Sequence, residues 1–306
     1  MAQTVLVLGA SGLFGGAAAR AFAAAGWEVR TYRRGTDMVA AARGVDVIVN
    51  GLNPPNYHDW DRIIPAITAE VIAAGLATGA TVLQPGTVYV YGDQPGPWSA
   101  DTRHRPVSRK GGIRAKMEAD YRAAVEQGLR VIVLRGGDFI DPDNPRSFWN
   151  MVALKYVGSG RYIDATAPGT ARAYAYLPDM ARAAVALAER RAALPDYADI
   201  PFAGYTLTMQ EVAEAVQLLT GRKLKRIGFP WWLMRLLAPV WELARELGEM
   251  RYLWTTPHRL DPGPMARVLP EFRVTPLEQV LRAELAVLAP QLLEGQGRLI
   301  SAQTGR

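Results

Sequence analysis

The sequence predicts an α/β fold: a doubly wound, Rossmann-type parallel sheet that is one edge strand short, with a smaller mixed α/β C-terminal substrate domain. Three observations predict this fold. Short apolar runs alternate with helical patterns along the first half of the chain, which is typical of a parallel sheet covered by helices. A glycine-rich turn joins the first strand to the first helix, and a segment rich in aspartate and proline at 141–145 interrupts the alternation.

Each predicted strand is a short apolar run, and each predicted helix is a longer stretch with helical spacing. The strands are predicted near 4–8, 28–32, 46–50, 81–84 and 131–134. The helices are predicted near 13–25, 37–43, 60–78, 112–127 and 179–191. Only about a dozen residues separate Tyr32 from Asp46, so a full strand and helix do not fit there and one edge strand is missing.

A second unit follows the interruption. Thr208, with Glu211 three residues later, has the signature of a capping box, and Gly221 is placed to end the same helix. The last helix is predicted from Thr275 to Leu288. The predicted division is a dinucleotide-binding domain at 1–140 plus about 171–195, a substrate-binding lid domain at about 141–170 plus 196–293, and a flexible tail at 294–306.

The segment 229–254 is rich in Trp, Leu and Met, with charged side chains such as Arg235 and Glu246 between them. Its helical spacing predicts an amphipathic helix that packs a small lid domain. A membrane-surface helix and a subunit contact are the alternatives.

Composition excludes several classes of function. The chain has 306 residues, no cysteine and three widely spaced histidines, so no thiol chemistry and no metal site are expected. Its net charge is +6, with scattered basic clusters that carry no nucleic-acid reader motif. No apolar run is long enough to cross a membrane, and the first strand begins too early to leave room for a signal peptide. A cytoplasmic protein with no nucleic-acid partner and no membrane insertion is therefore expected.

The first strand–helix turn reads Gly9-Ala10-Ser11-Gly12-Leu13-Phe14-Gly15. Glycines at this spacing let the backbone turn tightly and approach a pyrophosphate, whose charge meets the N–H groups and positive dipole end of the helix. The predicted cofactor-binding residues of the turn are Gly9, Ser11, Gly12, Leu13, Phe14 and Gly15.

The end of the second strand indicates which dinucleotide is bound. NAD-binding folds place an acidic residue there for the ribose 2′-hydroxyl, whereas this chain has Arg33 followed by Arg34. A guanidinium can hold a 2′-phosphate through two hydrogen bonds. The sequence therefore predicts NADP(H), with Arg33 and Arg34 as cofactor-binding residues.

Further segments follow the glycine turn in a fixed order: Asp46 to Gly51, Thr87 to Gly92, Leu134 to Asp138, Tyr176 to Ala181 and Leu207 to Gly221. In this order and spacing the chain resembles the extended short-chain dehydrogenase/reductase superfamily, the NAD(P)-dependent epimerase/dehydratase group, over nearly its whole length. The resemblance implies that the cofactor is bordered by Gly51, Leu52, Asn53 and Gly136. It also implies that Thr87 is the catalytic Ser or Thr and that a homodimer forms through the helices near 60–78 and 112–127.

The catalytic motif departs from the family. These enzymes carry Tyr-x-x-x-Lys about 25 residues after the Ser or Thr; the tyrosine moves a proton, and the lysine holds the nicotinamide ribose and lowers the tyrosine pKa. At that spacing the chain reads Gly112-Ile113-Arg114-Ala115-Lys116. Lys116 is thus expected at the ribose, and the tyrosine is missing. The candidates for its replacement are Tyr91, Tyr89, Lys110, Asp138 or a bound water.

The remaining site assignments follow from position. Tyr89 and Tyr91 alternate on a segment expected to be extended and so share a face. The rigid loop 53–58 brings His58 to the rim of the pocket, and Arg172 and Tyr174 are placed to meet an anionic substrate. The predicted catalytic residues are Thr87, Lys116, Tyr91 and Asp138, and the predicted substrate contacts are His58, Tyr89, Arg172 and Tyr174.

Together these features predict an NADP(H)-dependent, oxidoreductase- or epimerase-like protein that acts on a small carbonyl or hydroxyl substrate with atypical acid/base chemistry. The alternative is a non-catalytic NADP(H)-binding sensor or regulator, as the NmrA-like proteins of the wider superfamily are.

Overall fold

The computed structural model describes residues 3–54 and 57–294. Its main sheet has six parallel strands in the order β2-β1-β3-β4-β5-β9. These strands are β1 Thr4–Leu8, β2 Glu28–Thr31, β3 Val47–Asn50, β4 Thr81–Thr87, β5 Val131–Gly136 and β9 Tyr197–Pro201. The predicted α/β fold with a Rossmann-type parallel sheet is confirmed.

The central strands are continuous apolar runs because both faces of the sheet are covered. Alternate residues of β1 point to opposite faces, so Val5 and Val7 join one core cluster while Leu6 and Leu8 join the other. Helices α1 and α5 pack on the first face, and α3 and α4 pack on the second.

The edge strand β2 confirms the prediction of a shortened sheet. It pairs with β1 alone among the described strands, and Glu28 and Arg30 on it are exposed and paired with each other at 2.8 Å. Between β2 and β3 only the four-residue helix α2 is present. Charged side chains on an exposed edge strand also oppose pairing with other chains.

The helices cover the sheet and build the second unit. Their bounds are α1 Leu13–Ala24, α2 Met38–Ala41, α3 Trp60–Thr78, α4 Arg109–Val125, α5 Leu177–Glu189, α6 Met209–Thr220, α7 Trp231–Leu237, α8 Glu242–Glu249, α9 Gly263–Val268 and α10 Leu277–Leu288. Helix α4 begins three residues before its predicted start because Ser108 caps it, with Oγ accepting from the Gly111 N–H at 3.0 Å.

The second unit contains a three-stranded sheet of β6 Asp138–Ile140, β8 Arg172–Tyr176 and β10 Tyr205–Leu207, and a pair formed by β7 Arg161–Asp164 and β11 Lys225–Gly228. The predicted capping box of α6 is confirmed. The Thr208 side chain accepts a hydrogen bond from the Glu211 N–H, and the Glu211 side chain accepts one from the Thr208 N–H. Gly221 ends that helix with a φ of 67°.

Segment 229–254 is two helices, α7 and α8, and a 3₁₀ turn at Met250–Trp254 rather than one amphipathic helix. Nearly all of the predicted tail lies outside the described residues. Within residues 3–54 and 57–294 no helix is both long enough and apolar enough to cross a bilayer.

Candidate active site

The glycine turn between β1 and α1 forms a tight cradle. Gly9 has a φ of 73° and its carbonyl accepts from the Gly12 N–H at 2.9 Å. A Cβ on Gly9 would lie 2.7 Å from the carbonyl oxygen of Gly51, and a Cβ on Gly15 would collide with the carbonyl oxygen of Gly9. Only glycine therefore lets the three backbones meet.

The first turn of α1 points its N–H groups at the open side of this cradle. No side chain caps the helix, and no acidic residue lies in its first turn. A helix N-terminus of this kind favours an anion such as a pyrophosphate. The side chain of Phe14 packs on Phe139 with ring centroids 6.4 Å apart, so only its backbone N–H is available toward a ligand. These residues fit a dinucleotide.

Arg33 and Arg34 lie immediately after β2. The register Val7↔Thr31 places the end of β2 beside the end of β1, and hence beside the glycine turn. Both arginines are exposed. Within the described part of the chain, neither side chain forms a salt bridge, so both guanidinium groups are free to meet an anion.

Thr87, the last residue of β4, has a hydroxyl that nothing in the described chain satisfies. Its Oγ1 is buried without a hydrogen-bond partner, which is costly unless a ligand or water supplies one. Its carbonyl accepts from Nη1 of Arg135 at 2.7 Å. Arg135 therefore fixes the backbone of Thr87, while the Thr87 hydroxyl is left for a ligand.

The two tyrosines that follow do not share a face, contrary to expectation, because Val88–Tyr91 is a 3₁₀ turn rather than an extended segment. Tyr91 is fully buried and its hydroxyl donates to the carbonyl of Ser99 at 2.9 Å. Burial raises the pKa of Tyr91 above its usual value. Tyr91 is thus a core residue rather than an acid/base, and Tyr89 is the half-buried member of the pair.

Helix α4 presents a different pair of residues from the one expected. Lys116 lies on the outward face with a side chain 69% exposed, and its Nζ pairs with Asp120 at 2.8 Å. A Cβ on Gly112 would meet open space. Lys110 and Arg114, which have the same four-residue spacing, are buried on the inward face. The structure therefore places Lys116 on the outer surface of α4, contrary to expectation, and Lys110 and Arg114 on the inner face.

The signal for the correct face was present in the sequence. Met117, Tyr121 and Ala124 form the apolar stripe of α4. Helical periodicity puts Arg114 on this stripe and Lys116 on the opposite side.

Arg114 reaches the carboxyl edge of the sheet. Its Nη2 donates to Oδ1 of Asn53 at 2.8 Å, and its guanidinium lies 4.6 Å from the centre of the Trp60 ring. Burial lowers the pKa of Arg114 from its usual value, although the nearby Tyr89 hydroxyl opposes this. Asn53 was expected in the site, whereas Arg114 was not.

A pair of tyrosines lies beside Arg114. Burial raises the pKa of Tyr57, and it raises the pKa of Tyr89 well above its usual value. The two phenols are close enough for each to influence the pKa of the other. Both are therefore neutral phenols near pH 7. Tyr57 also has a φ of 62°, a left-handed conformation that is rare for a bulky residue and accumulates at functional sites. The sequence placed Tyr57 within the loop 53–58 expected at the rim of the pocket but indicated no role for it.

Lys110 is covered by helix α8. Its Nζ is paired with Glu249 at 2.6 Å and also with Glu246. Next to it, Arg109 pairs with Glu246 and with Asp61 of α3. These charges, named here the α4–α8 latch (Asp61, Arg109, Lys110, Glu246 and Glu249), attach the α8 helix to the start of α4.

His58 contacts this same region. Its Nδ1 is 3.4 Å from a carboxylate oxygen of Glu242, and it lines a surface cleft of about 670 Å³ between α8 and the first turns of α3 and α4. The structure thus places His58 against α8, and its contact with a substrate stays a prediction.

Asp138, Arg172 and Tyr174 form an internal group. Nη2 of Arg172 lies 2.6 Å from Oδ2 of Asp138. Arg172 and Tyr174 are each 1% exposed, and the Tyr174 hydroxyl faces the sulfur of Met209 at 3.7 Å. Both side chains are buried, and Nε and Nη1 of Arg172 have no hydrogen-bond partner in the described chain. Their contact with a substrate stays a prediction. The Asp138 carboxylate is part of the ion pair.

Gly136 and Gly51 are close-packing positions. A Cβ on Gly136 would lie 2.9 Å from the sulfur of Met180, and one on Gly51 would lie 2.9 Å from the Cα of Gly15. Leu52 is buried, and its N–H donates to Oδ1 of Asn50 at 3.3 Å. Gly51 and Leu52 shape the edge of the cradle through their backbones, whereas Gly136 packs against Met180 of α5, and its contact with a cofactor stays a prediction.

Arg146 is another residue that the sequence did not indicate. It comes from the loop after β6, and its Nη2 donates to the carbonyl of Ser11 at 3.1 Å. This contact brings a guanidinium to the glycine turn, where it adds positive charge.

One group in the described chain has the spacing of metal ligands: His104, Glu118 and Asp199. Arg135 lies between the two carboxylates, at 2.7 Å from Glu118 and 2.5 Å from Asp199. Burial alone would lower the pKa of Arg135, but these carboxylates raise it well above its usual value. The carboxylates already neutralise a buried cation, so the group is a structural ion network.

No protein-family model and no curated protein matches the sequence. Solved structures share its fold. MoeE5 in complex with UDP-glucose and NAD is 17% identical with a TM-score of 0.74, over 95% of this chain and 99% of that one. UDP-glucuronic acid 4-epimerase from Bacillus cereus, in complex with UDP-glucuronic acid and NAD, is 15% identical with a TM-score of 0.74, over 94% and 100%.

The NAD-dependent NDP-hexosamine 5,6-dehydratase TunA is 17% identical with a TM-score of 0.71, over 95% of this chain and 99% of that one. At these identities the likeness shows the fold. The chain has the fold of these solved structures, among which are a UDP-sugar epimerase and an NAD-dependent NDP-hexosamine dehydratase.

Proposed function

We propose that this protein binds NADP(H) along the carboxyl edge of its sheet and acts as an oxidoreductase- or epimerase-like enzyme on a small carbonyl or hydroxyl substrate. The observation that carries the proposal is the buried, unpartnered Oγ1 of Thr87. Ligands of open α/β sheets bind at this edge, and a substrate oxygen would satisfy the hydroxyl. A bound nicotinamide would supply hydride transfer.

The choice of NADP(H) rests on Arg33 and Arg34. Both are exposed at the end of β2, where a carboxylate would repel a 2′-phosphate and a guanidinium would bind it. MoeE5 and the Bacillus cereus epimerase both contain NAD. NADP(H) is proposed for this chain because of its own residues, Arg33 and Arg34.

The proposed acid is the Tyr57–Tyr89 pair beside Arg114. Because burial keeps both phenols protonated, each can donate a hydrogen bond or a proton to a substrate oxygen but is a poor base. Arg114 would place its positive charge at the position where the family uses lysine. Thr87 would orient the same substrate oxygen.

The structural neighbours suggest which substrates to test first. Two of them hold a UDP-sugar, UDP-glucose or UDP-glucuronic acid. We therefore include nucleotide sugars among the candidate hydroxyl substrates, together with simple aldehydes and ketones.

A non-catalytic NADP(H) sensor is the second candidate. The observation that favours it is the α4–α8 latch, which covers Lys110 and leaves no tyrosine facing the sheet edge from α4. Such a protein would bind the dinucleotide without turnover. The predicted boundary at 196 moves past β9 (Tyr197–Pro201), because this strand belongs to the main sheet. The boundaries near 141 and 171, a homodimer and a cytoplasmic location complete the proposal.

The test combines binding with turnover. NADPH binding is measured by fluorescence titration, and turnover by loss of NADPH absorbance or by product analysis across nucleotide sugars, aldehydes and ketones. We expect Thr87→Ala and Tyr89→Phe each to lower turnover about 10²-fold or more, with NADPH binding retained. Lys116→Ala, on the outward face of α4, is the matched control. Stoichiometric binding with no turnover on any substrate would favour the sensor, and absence of binding would refute both.

A further inference from the structure

The bend between α7 and α8 exposes an unusual amount of apolar surface. Trp232 is 67% exposed, Leu236 69%, Val240 86% and Trp241 43%. Nine large apolar side chains are this exposed in the described part of the chain, and these four lie within ten consecutive positions. Trp232 and Leu236 are four residues apart and so lie on one face of α7. We name Trp232, Leu236, Val240 and Trp241 the apolar elbow.

The side of α7 and α8 opposite the elbow is attached to the rest of the chain, and these contacts keep the elbow side chains pointing outward. Met234 is buried, and Nε1 of Trp231 donates to the carbonyl of Ala165 at 2.8 Å. The Trp231 ring packs on Trp254 with centroids 5.3 Å apart. On α8, the glutamates of the α4–α8 latch fix the helix to α4. The folded chain therefore presents the apolar elbow outward without any rearrangement, and apolar surface of this kind marks an interaction site.

Basic side chains flank the elbow along the sequence, and two of them are paired, Arg226 with Asp164 and Arg245 with Glu246. Residues 222–249 contain six basic residues and three acidic ones. Two of the acidic residues, Glu246 and Glu249, are used in the latch. The basic residues Arg222, Lys223, Lys225, Arg226, Arg235 and Arg245 are all exposed. The parallel register of β11 with β7 adds Arg161 opposite Lys225.

From this combination we infer that the apolar elbow and the basic side chains that flank it dock onto an anionic lipid bilayer surface. Tryptophan side chains favour the interface between lipid and water. An apolar face bordered by Arg and Lys binds such an interface through apolar burial together with attraction to anionic headgroups. The net charge of +6 acts in the same direction.

A second copy of the chain fits this surface less well. A two-fold interface places the same patch against itself, which would bring Arg235 and Arg245 of one copy close to those of the other. Like charges across an interface oppose association. An anionic bilayer instead offers the opposite charge across the whole patch.

The test is co-sedimentation of the full-length protein with vesicles of phosphatidylcholine alone and with equimolar phosphatidylcholine and phosphatidylglycerol. We expect binding to the anionic vesicles only, weakened by salt because exposed charges are screened. The double variant Trp232→Ser with Leu236→Ser should bind at least roughly tenfold more weakly. The matched control is Leu218→Ser, which removes an exposed leucine (84%) on α6, outside the segment that forms the elbow.

Each outcome decides the inference, which is independent of the proposed function. No binding of the native chain to anionic vesicles would overturn it, as would equal binding to both vesicle types or an equal loss in Leu218→Ser. A dimer in light scattering that Trp232→Ser abolishes, with no vesicle binding, would assign the elbow to a second copy instead. Circular dichroism of each variant verifies that the fold is intact.

Discussion

Nη2 of Arg114 lies 2.8 Å from Oδ1 of Asn53, and this bond connects α4 to the loop that follows β3 at the carboxyl edge of the sheet. The same guanidinium lies 4.6 Å from the centre of the Trp60 ring, a second contact that holds it in position. Arg114 is thus the cation that α4 presents to the site, and Lys116 pairs with Asp120 on the outer surface.

Replacing Arg114 should weaken NADPH binding, whereas replacing Lys116 should not. We expect Arg114→Ala to remove a charge-assisted hydrogen bond to the bound cofactor, which is worth about 1.5–3 kcal/mol. This loss corresponds to a dissociation constant for NADPH at least roughly tenfold higher. Arg114→Lys should be intermediate, because lysine keeps the charge and loses the planar fork. Fluorescence titration of NADPH measures all three variants. A larger loss in Lys116→Ala than in Arg114→Ala would contradict the placement of these side chains.

Arg33 should determine the preference for the 2′-phosphate. Arg33→Asp is expected to weaken NADPH binding roughly tenfold or more while leaving NADH binding nearly unchanged, because only the phosphate contact is lost and a carboxylate repels it. The matched control is Arg30→Ala on the same strand, whose guanidinium is already paired with Glu28. Parallel titrations with the two dinucleotides give the ratio. A native chain that prefers NADH would refute this expectation.

The buried network of Arg135 should contribute strongly to stability. Arg135→Met leaves Glu118 and Asp199 buried without their cation, and breaking such a network costs about 3–5 kcal/mol. The exposed pair of Arg282 with Glu278 at 2.8 Å provides the comparison, since Arg282→Ala should cost under about 1 kcal/mol. Urea unfolding measures both free energies of unfolding. Similar costs for the two variants would show that the network is not stabilising.

Glu284 should make stability depend on pH. Neither of its carboxylate oxygens has a hydrogen-bond partner in the described chain, and burial, with help from Asp141 and Asp143, raises its pKa from 4.5 to about 8. The folded state therefore holds a proton that the unfolded state releases above about pH 4.5. This contribution to stability is present below that pH and is lost as the pH rises toward about 8.

Glu284→Gln mimics the protonated form and should remove this dependence. At pH 8 the variant should unfold at a higher urea concentration than the native chain, and near pH 5 the two should be similar. Midpoints at pH 5, 6.5 and 8 give the comparison. If the difference between native and variant stays constant across these values, Glu284 does not titrate in this range.

The sheet was predictable because apolar runs and turn glycines are local signals. The shortened edge at β2 followed from the length between Tyr32 and Asp46. The strand order and the sixth strand, β9, were not predicted, because they depend on contacts between distant parts of the chain. The capping box at Thr208 was predictable for the same reason, since both partners lie three residues apart in one turn.

The number of residues between Thr87 and α4 could not predict which side chains of α4 face the carboxyl edge of the sheet. Residues 92–108 contain a long connection in which Trp98 forms a bridge with Leu260, so the path length between β4 and α4 is set by distant parts of the chain. Tyr91 was misassigned because the 3₁₀ turn after Thr87 rotates it into the core. Tyr57 depends on a left-handed backbone that no sequence pattern announces.

The glycine cradle also constrains how this protein can change over time. Gly9, Gly15 and Gly51 block one another in a closed cycle: a side chain on any one of them would strike the backbone of another. A substitution at any one of the three would therefore require the backbone of another to move, so these positions tolerate little sequence change. The exposed end of β2 carries no such restriction. In the proposed NADP(H) site, the preference between cofactors is therefore the property that point mutation can most readily alter, whereas the three glycines of the turn are inherited together.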